Sequence, residues 1–317
     1  MSDAPAQPAA PPLPDPRSGA LSASSGLVTR ALQHFGLEDV ALESVPESYS
    51  STVRRVILPD RGRLILKIPY SRQKLLRELT ALRALQHDLP VPHVINAWIP
   101  EDDTPGAMLL SHLPGAIIEE QVTLGLAREL GVLLASLHTH RLPWYGEAFE
   151  PADPAAQDWW EIMRQRFQDW LRWCDGVVAE SLLRSIVAAY ASLSAGLPEP
   201  DGPCWVHADF RPGNVLVSDS RVTGLIDFES ARGGSADYDF VKISLEVWDA
   251  VPGAQEAFLS GYDSVRPHPD ISRTLTLYQL HNAVGGLAWC VRRTDTRDPF
   301  YAENLAVVER VVASRAH

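Results

Sequence analysis

Hydrophobic and polar positions divide the chain into a strand-rich first part and a helix-rich second part. The runs STVRRVIL (51–58) and RLILKI (63–68) are rich in β-branched and apolar residues. Pro59, Asp60, Arg61 and Gly62 between them form a turn quartet, so the pair predicts a β-hairpin. Upstream, SGLVTRALQHF (25–35) predicts a short helix closed by Gly36. Downstream, 71–87 places Leu75, Leu79, Leu82 and Leu85 at helical spacing, with Leu76 widening the apolar face and Ser71 positioned as a cap. An apolar stretch at 107–110 breaks at His112, Leu113, Pro114 and Gly115, and beyond it the character changes from strands to helices. In 126–138, Leu126, Leu130, Leu133, Leu134 and Leu137 form a core-facing stripe. Further helices are expected in 158–195, where Trp159, Trp160, Trp170 and Trp173 stand among charges, and at 255–262, 271–292 and 301–313. One compact β-rich segment, 204–228, interrupts the helices, and no internal repeat is visible. The first 22 residues are rich in Pro and Ala with almost nothing to bury, and are expected to form a disordered tail. The expected organisation is therefore a tail (1–22), a small β-rich N-lobe (23–112) and a larger, mainly helical C-lobe (113–317), an α+β fold.

Composition narrows the partners. The 317 residues exceed the usual ~100–200 of one domain, which agrees with two lobes. Apolar residues at 45% supply a core, and a formal charge of −12 disfavours phosphate-backbone binding, so nucleic acid is not an expected partner. The three cysteines, Cys174, Cys204 and Cys290, are odd in number and far apart. They suggest neither a disulfide framework nor a zinc site, and point to a reduced, cytoplasmic protein. No apolar run reaches the ~18 residues of a membrane span, and no basic-then-hydrophobic leader opens the chain, so no membrane association is expected.

The candidate chemistry is concentrated in 204–231, CWVHADFRPGNVLVSDSRVTGLIDFESA, which gathers His207, Asp209, Arg211, Asn214 and Asp227 beside strand-like runs. Asn214 to Val217 and Thr223 to Asp227 flank the turn-rich SDSR. A hairpin centred near Ser220 and Arg221 pairs position n with 441 − n, and that register sets Asn214 opposite Asp227. An amide oxygen beside a carboxylate is half of a hard-cation site, and magnesium fills its remaining positions with water or substrate phosphate. Asp209 precedes Asn214 by five residues, in a loop that Pro212 and Gly213 turn back toward the same end of the hairpin. A carboxylate there suits acceptance of a proton from an attacking hydroxyl. Arg211 beside it suits screening of charge on a transferring phosphoryl group. Taken alone, His207 reads as a bracing histidine, and Lys67 reads as a strand lysine on the face opposite Leu64, Leu66 and Ile68.

The run His207-Ala208-Asp209-Phe210-Arg211-Pro212-Gly213-Asn214, followed by Ile226-Asp227-Phe228-Glu229, resembles the catalytic and metal motifs of the aminoglycoside phosphotransferase family, small-molecule kinases with a protein-kinase-like fold. The resemblance implies that Asp209 is the catalytic carboxylate with Arg211 beside the phosphoryl group, and that Asn214 and Asp227 hold Mg2+. It also implies that Lys67 contacts the phosphates of ATP or GTP with Glu78 orienting it, and that adenine meets backbone groups of the linker from Ser111 to Leu113. Asp239 in GSADYDF would brace the catalytic loop. The sequence departs from the family in the expected phosphate-covering loop, where 47–52 (ESYSST) contains no glycine for close backbone approach.

A protein kinase would use the same carboxylates, but Ala208 stands where an arginine would receive a phosphorylated activation loop, and Tyr238 follows Asp227 too closely for a peptide-docking segment. A binding-only pseudokinase would lack one of Lys67, Asp209, Asn214 or Asp227, all of which are present. A metal hydrolase would require further His or carboxylate ligands. The expected partners are thus a nucleoside triphosphate and a hydroxylated small molecule. Acidic residues near the expected cleft (Asp153, Asp158, Glu161, Asp169, Asp175) favour a cationic acceptor, an aminoglycoside-like antibiotic ahead of an amino alcohol or sugar. His138, Tyr278, His281, Asn282 and Trp289 are candidates for its wall.

Overall fold

A helix, α1 (Ala20–His34), opens the computed structural model, which describes residues 20–37, 39–45, 50–119, 121–149, 158–293 and 295–315. The expected tail through residue 19, residues 47–49 of the expected phosphate loop and Asp153 lie outside the described residues. Gly36 closes α1 with φ +67, a left-handed conformation that suits glycine, and Leu37 N–H donates to the Leu32 carbonyl at 2.9 Å. β1 (Ala41–Ser44), β2 (Ser51–Ile57), β3 (Arg63–Pro69), β4 (Val94–Trp98) and β5 (Ala107–Ser111) form one sheet in the order β1-β2-β3-β5-β4, every neighbouring pair antiparallel. The hairpin read from 51–68 is β2–β3.

Between β3 and β4 lies α2 (Arg72–Leu85), started by Ser71, whose hydroxyl accepts the Lys74 N–H. The two faces of the sheet take up the strand alternation. Val56, Leu66, Ile68, Ala107 and Leu109 pack under Val28, Ala31 and Leu32 of α1, while Met108 and Leu110 join Leu75, Leu79 and Leu82 of α2 on the other side. Lys67 alternates with Leu66 and Ile68, so it belongs to the α2 face, and it is buried. That burial is the observation that separates it from a surface strand lysine.

After the linker come β6 (Ala116–Ile117), α3 (Leu124–Thr139), α4 (Trp159–Cys174), α5 (Glu180–Leu193), β7 (Cys204–Val206), β8 (Val215–Ser218), β9 (Arg221–Leu225), β10 (Arg232–Gly234), α6 (Phe240–Ile243), α7 (Ala254–Asp263), α8 (Leu275–Arg292) and α9 (Pro299–Ala313). β6, β8 and β9 form a small sheet, and β7 pairs with β10. α3 and α7 cross backbone to backbone. A Cβ on Gly131 would stand 2.0 Å from the Phe258 carbonyl oxygen and one on Gly261 2.0 Å from that of Arg128, so both positions require glycine. A second core joins α4, α5, α8 and α9 through Phe167, Ile186, Leu280, Val284, Leu287 and Val308. The tryptophans of α4 contribute mainly to packing: Trp159 is buried in an aromatic cluster with Tyr238 and Tyr278, and Trp170 and Trp173 lie against the second core. All three cysteines are buried free thiols.

The β8–β9 hairpin corrects one expectation. Its turn is centred on Asp219 and Ser220, with φ 51 and 61, the two-residue arrangement whose twist matches that of the strands. Ser218 pairs with Arg221 and Val217 with Val222, and a bulge at Thr223 then shifts the register so that Leu216 meets Gly224 and Val215 meets Leu225. Asn214 consequently stands opposite Ile226, whose N–H it accepts at 2.9 Å, and Asp227 follows one residue beyond.

Candidate active site

The loop from β7 to β8 carries Asp209, and a buried carboxylate holds its shape. Asp239 accepts the His207 N–H on Oδ2 and the Ala208 N–H on Oδ1, both at 2.7 Å. His138 Nε2 lies 3.2 Å from the same Oδ2, while its Nδ1 is 2.8 Å from the Tyr262 hydroxyl, so α3 and α7 both support the anchor. These bonds hold Ala208 at φ 62, a conformation that costs an alanine about 1 kcal/mol or more. His207 lies 3.0 Å through Nε2 from the Ile226 carbonyl and ties the loop to the segment bearing Asp227. The bracing roles expected of His207 and Asp239 are what the geometry displays.

Asp209 is a third exposed, and its Oδ2 accepts the Asn214 side-chain amide at 2.9 Å. The same Nδ2 donates to the Asp209 carbonyl at 2.8 Å. Both amide donations thus go toward Asp209, and among the described residues the Asn214 Oδ1 has no partner. Burial raises the Asp209 carboxyl above its usual range, against the pull of Lys242 (Nζ to Oδ1 3.8 Å), His207 and Arg211. The shift makes it a stronger proton acceptor.

Asp227 sits at φ 69, ψ 59, a left-handed conformation that an aspartate tolerates better than most residues. Its Oδ1 lies 2.6 Å from Lys67 Nζ, and the same ammonium reaches Glu78 at 2.9 Å to Oε1 and 2.7 Å to Oε2. One buried cation therefore serves two carboxylates. Burial opposes the Lys67 charge, but the fields of Asp227, Glu78 and Glu229 together hold its pKa above the ordinary lysine value. Burial pushes Glu78 up to about 7 against the Lys67 charge. Asp227 is also pulled upward by burial, yet the Lys67 charge and hydrogen bond win and keep it below the usual carboxylate range. Asp227 Oδ2 and Asn214 Oδ1 are an anionic and a neutral oxygen with no protein partner among the described residues. That donor set fits a hard cation such as Mg2+.

Pairings not read from the sequence complete the surroundings. Glu229 accepts Ser50 Oγ at 2.6 Å and Lys74 Nζ at 2.8 Å, and Arg77 Nε meets Glu147 at 2.5 Å, so α2 is bonded across to the C-terminal part on both sides of Glu78. Arg211 is engaged by a carboxylate: its Nε lies 3.3 Å from Glu246 Oε2. Lys242 is the cation beside Asp209. The only sequence signal for these was placement, since Lys74 precedes Glu78 by one helical turn and Glu229 follows Asp227 by two residues.

The linker divides the two positions expected to meet adenine. Ser111 donates its N–H to the His93 carbonyl at 2.9 Å and accepts the His93 N–H on its hydroxyl at 2.8 Å, so its amide is already spent on securing β5. Leu113 makes no backbone hydrogen bond among the described residues, leaving its groups open to a ligand.

Because Lys67 retains Asp227 when Glu78 is lost, Glu78→Gln should leave the protein folded while nucleotide kcat/KM falls on the order of tenfold, the worth of one charge-assisted hydrogen bond. Steady-state kinetics with varied nucleotide checks this. Unaltered nucleotide kinetics in a folded variant would remove Glu78 from the orienting role.

A five-stranded N-terminal sheet with a lysine–glutamate pair, joined to a helical part bearing a braced aspartate loop and a β8–β9 hairpin, defines the class: a two-lobed, protein-kinase-like phosphotransferase fold. The model of the phosphotransferase enzyme family (APH) matches residues 41–273, and the chain belongs to that family. A homoserine kinase of Gluconobacter oxydans (strain 621H) is 31% identical over 182 residues, covering 54% of this chain and 54% of that protein. The chain thus spans about half the length of this curated relative. The solved structure of a microcompartment-associated aminopropanol kinase is 26% identical, covers 92% of this chain and 98% of that one, and superposes with a TM-score of 0.68. Aminoglycoside phosphotransferase APH(4)-Ia, 18% identical over 94% of this chain and 100% of its own, gives a TM-score of 0.70 and shares the fold. No helix among the described residues is long and apolar enough to cross a membrane.

Proposed function

We propose that this protein transfers the γ-phosphoryl group of ATP or GTP, bound with Mg2+, to the hydroxyl of a small amino alcohol. The observation that carries the reading is the Asp209 carboxylate, raised by burial and held by Asn214 in a loop that Asp239 pins at two backbone amides. In the reaction the acceptor oxygen bonds to the γ-phosphorus as the bond from phosphorus to the β–γ bridging oxygen breaks. The hydroxyl proton passes to Asp209, and the nucleoside diphosphate leaves. Asp227 and Asn214 would hold the metal, which would offset phosphate charge when bound, and Lys67, kept in place by Glu78, would exchange Asp227 for the phosphates. Arg211 neutralises the transferring group once it parts from Glu246. The linker backbone at Leu113 receives the base, and the division between lobes falls at 112–113.

The names of similar proteins support this acceptor class. Curated relatives that the chain matches are named homoserine kinases, and a solved structure 26% identical over 92% of the chain is named an aminopropanol kinase. The acidic residues that favoured a polycationic antibiotic are largely engaged within α4: Glu161 bonds Arg164, Asp169 bonds Arg172, and Asp158 caps the helix through the Glu161 N–H. An aminoglycoside-like antibiotic stands as the second reading, supported by the net charge of −12.

The test is diphosphate release from ATP and GTP against a panel of amino alcohols, sugars and aminoglycosides, with and without excess chelator. Metal-dependent turnover of an amino alcohol is expected. Turnover confined to aminoglycosides would transfer the assignment to the second reading, and no acceptor-dependent release at all would overturn the kinase reading.

A further inference from the structure

α4 carries three arginines with different fates. Arg164 and Arg172 are exposed and bonded to Glu161 and Asp169 on the same helix. Arg166 falls on the opposite, packed face, in line with Trp159, Met163 and Trp170. That face lies against Tyr238 and α8: the Trp159 indole donates to the Tyr278 hydroxyl at 2.9 Å, His281 Nε2 lies 3.1 Å from the Met163 carbonyl, and the Trp170 and His281 rings are 4.5 Å apart. Arg166 is half-buried there, and among the described residues it makes no hydrogen bond and no ion pair.

A guanidinium withdrawn from water normally finds an acceptor, because its five donors lose hydration without replacement. None of the groups within electrostatic reach of Arg166 is a free counter-ion: Tyr238 and His281 are neutral, Arg77 is a like charge, and the Glu147 carboxylate is already held by Arg77 through both Nε and Nη2. Burial therefore lowers the Arg166 pKa, and its charge in turn helps keep the buried His281 neutral. The Trp159 ring of this face stands 5.6 Å from that of Tyr238, and the adjacent Asp239 accepts the Ala208 N–H at 2.7 Å, so the face of α4 that carries Arg166 packs beside the loop that bears Asp209.

We propose that Arg166 receives a carboxylate carried by the acceptor, which narrows the amino alcohols to those that bear a carboxylate, the hydroxy amino acids, with the hydroxyl at Asp209. This rests on the kinase reading above and specifies it. A planar guanidinium matches a carboxylate bidentately, and a cation without a protein partner binds its anion without first breaking an internal pair.

The experiment uses pairs of acceptors that differ only by the carboxylate: L-homoserine and 3-amino-1-propanol, L-threonine and 1-amino-2-propanol, L-serine and ethanolamine. The wild-type protein should favour the carboxylated member of its best pair by ~100-fold or more in kcat/KM, as expected where a site leaves a buried polar group unpaired with the wrong substrate. Arg166→Met, which preserves the side-chain length, should erase most of that ratio through acceptor KM while nucleotide KM holds. Arg166→Lys should restore part of it, and it serves as the folded comparison if Arg166→Met does not fold. An unchanged ratio in the folded variant, or equal use of both members by the wild type, overturns the carboxylate assignment. Turnover restricted to decarboxylated members also overturns it while leaving the kinase reading intact, whereas no diphosphate release with any acceptor removes both.

Discussion

Asp209→Asn should cost ~10²–10⁴ in turnover while leaving nucleotide affinity nearly intact. Asparagine retains the size of the side chain and one oxygen to accept the Asn214 amide, so the loop pinned by Asp239 keeps its path. What disappears is the group able to take a proton, and with it the negative charge facing Lys242 at 3.8 Å. Burial makes that loss larger, because the wild-type carboxyl is raised above the usual range and is correspondingly more basic. Single-turnover kinetics alongside nucleotide titration separates the two quantities. Turnover within a few-fold of wild type would remove Asp209 from the reaction.

Asp227→Ala should instead remove metal–nucleotide binding, by at least the ~10–100-fold that loss of a mere supporting group at a metal site costs. Asp227 is held ionised by Lys67 despite its burial, and is thus a charged oxygen ligand throughout the neutral range. Lys67 still has Glu78 in the variant, so the fold should survive. Calorimetric titration with magnesium and nucleotide is the measurement, and unchanged affinity would dismiss the Asn214–Asp227 pair as the metal site. A kinetic contrast follows: the Asp209 variant binds without reacting, while the Asp227 variant fails to bind.

Much of this site was readable as text because it is local. The run from His207 to Asn214 and the hairpin to Asp227 depend on turns and short strands, whose residues specify their own geometry. α2 was equally plain, since Ser71 caps it and its leucines repeat with the helical period. The register of β8 and β9 was misread for a definite reason. Serine and aspartate at positive φ form a tighter turn than SDSR advertises, and the bulge at Thr223 leaves no mark in the alternation of apolar residues. Harder still were Glu229 with Lys74 and Ser50, Arg211 with Glu246, and Arg166 with no ion pair among the described residues. These are relations between residues tens to well over a hundred positions apart. Arg164, bonded on the surface, and Arg166, on the packed face, stand two residues apart on one helix, a rotation of about 200° that composition alone does not orient.

The three buried cysteines have a consequence for how the protein can be approached chemically. Cys174, Cys204 and Cys290 lie at the end of α4, in β7 and in α8, each almost without exposure, and burial pushes their thiols up to about 12, 12 and 11. At neutral pH almost none of the nucleophilic thiolate exists, and reagents have no path to the sulfur. Electrophiles designed to capture a cysteine beside a nucleotide pocket have nothing to attack in the folded chain, and mild oxidants leave it unmodified. The thiols instead report on breathing of the structure: each becomes reactive only when its own element opens, so alkylation at the three positions distinguishes loosening of α4, β7 and α8.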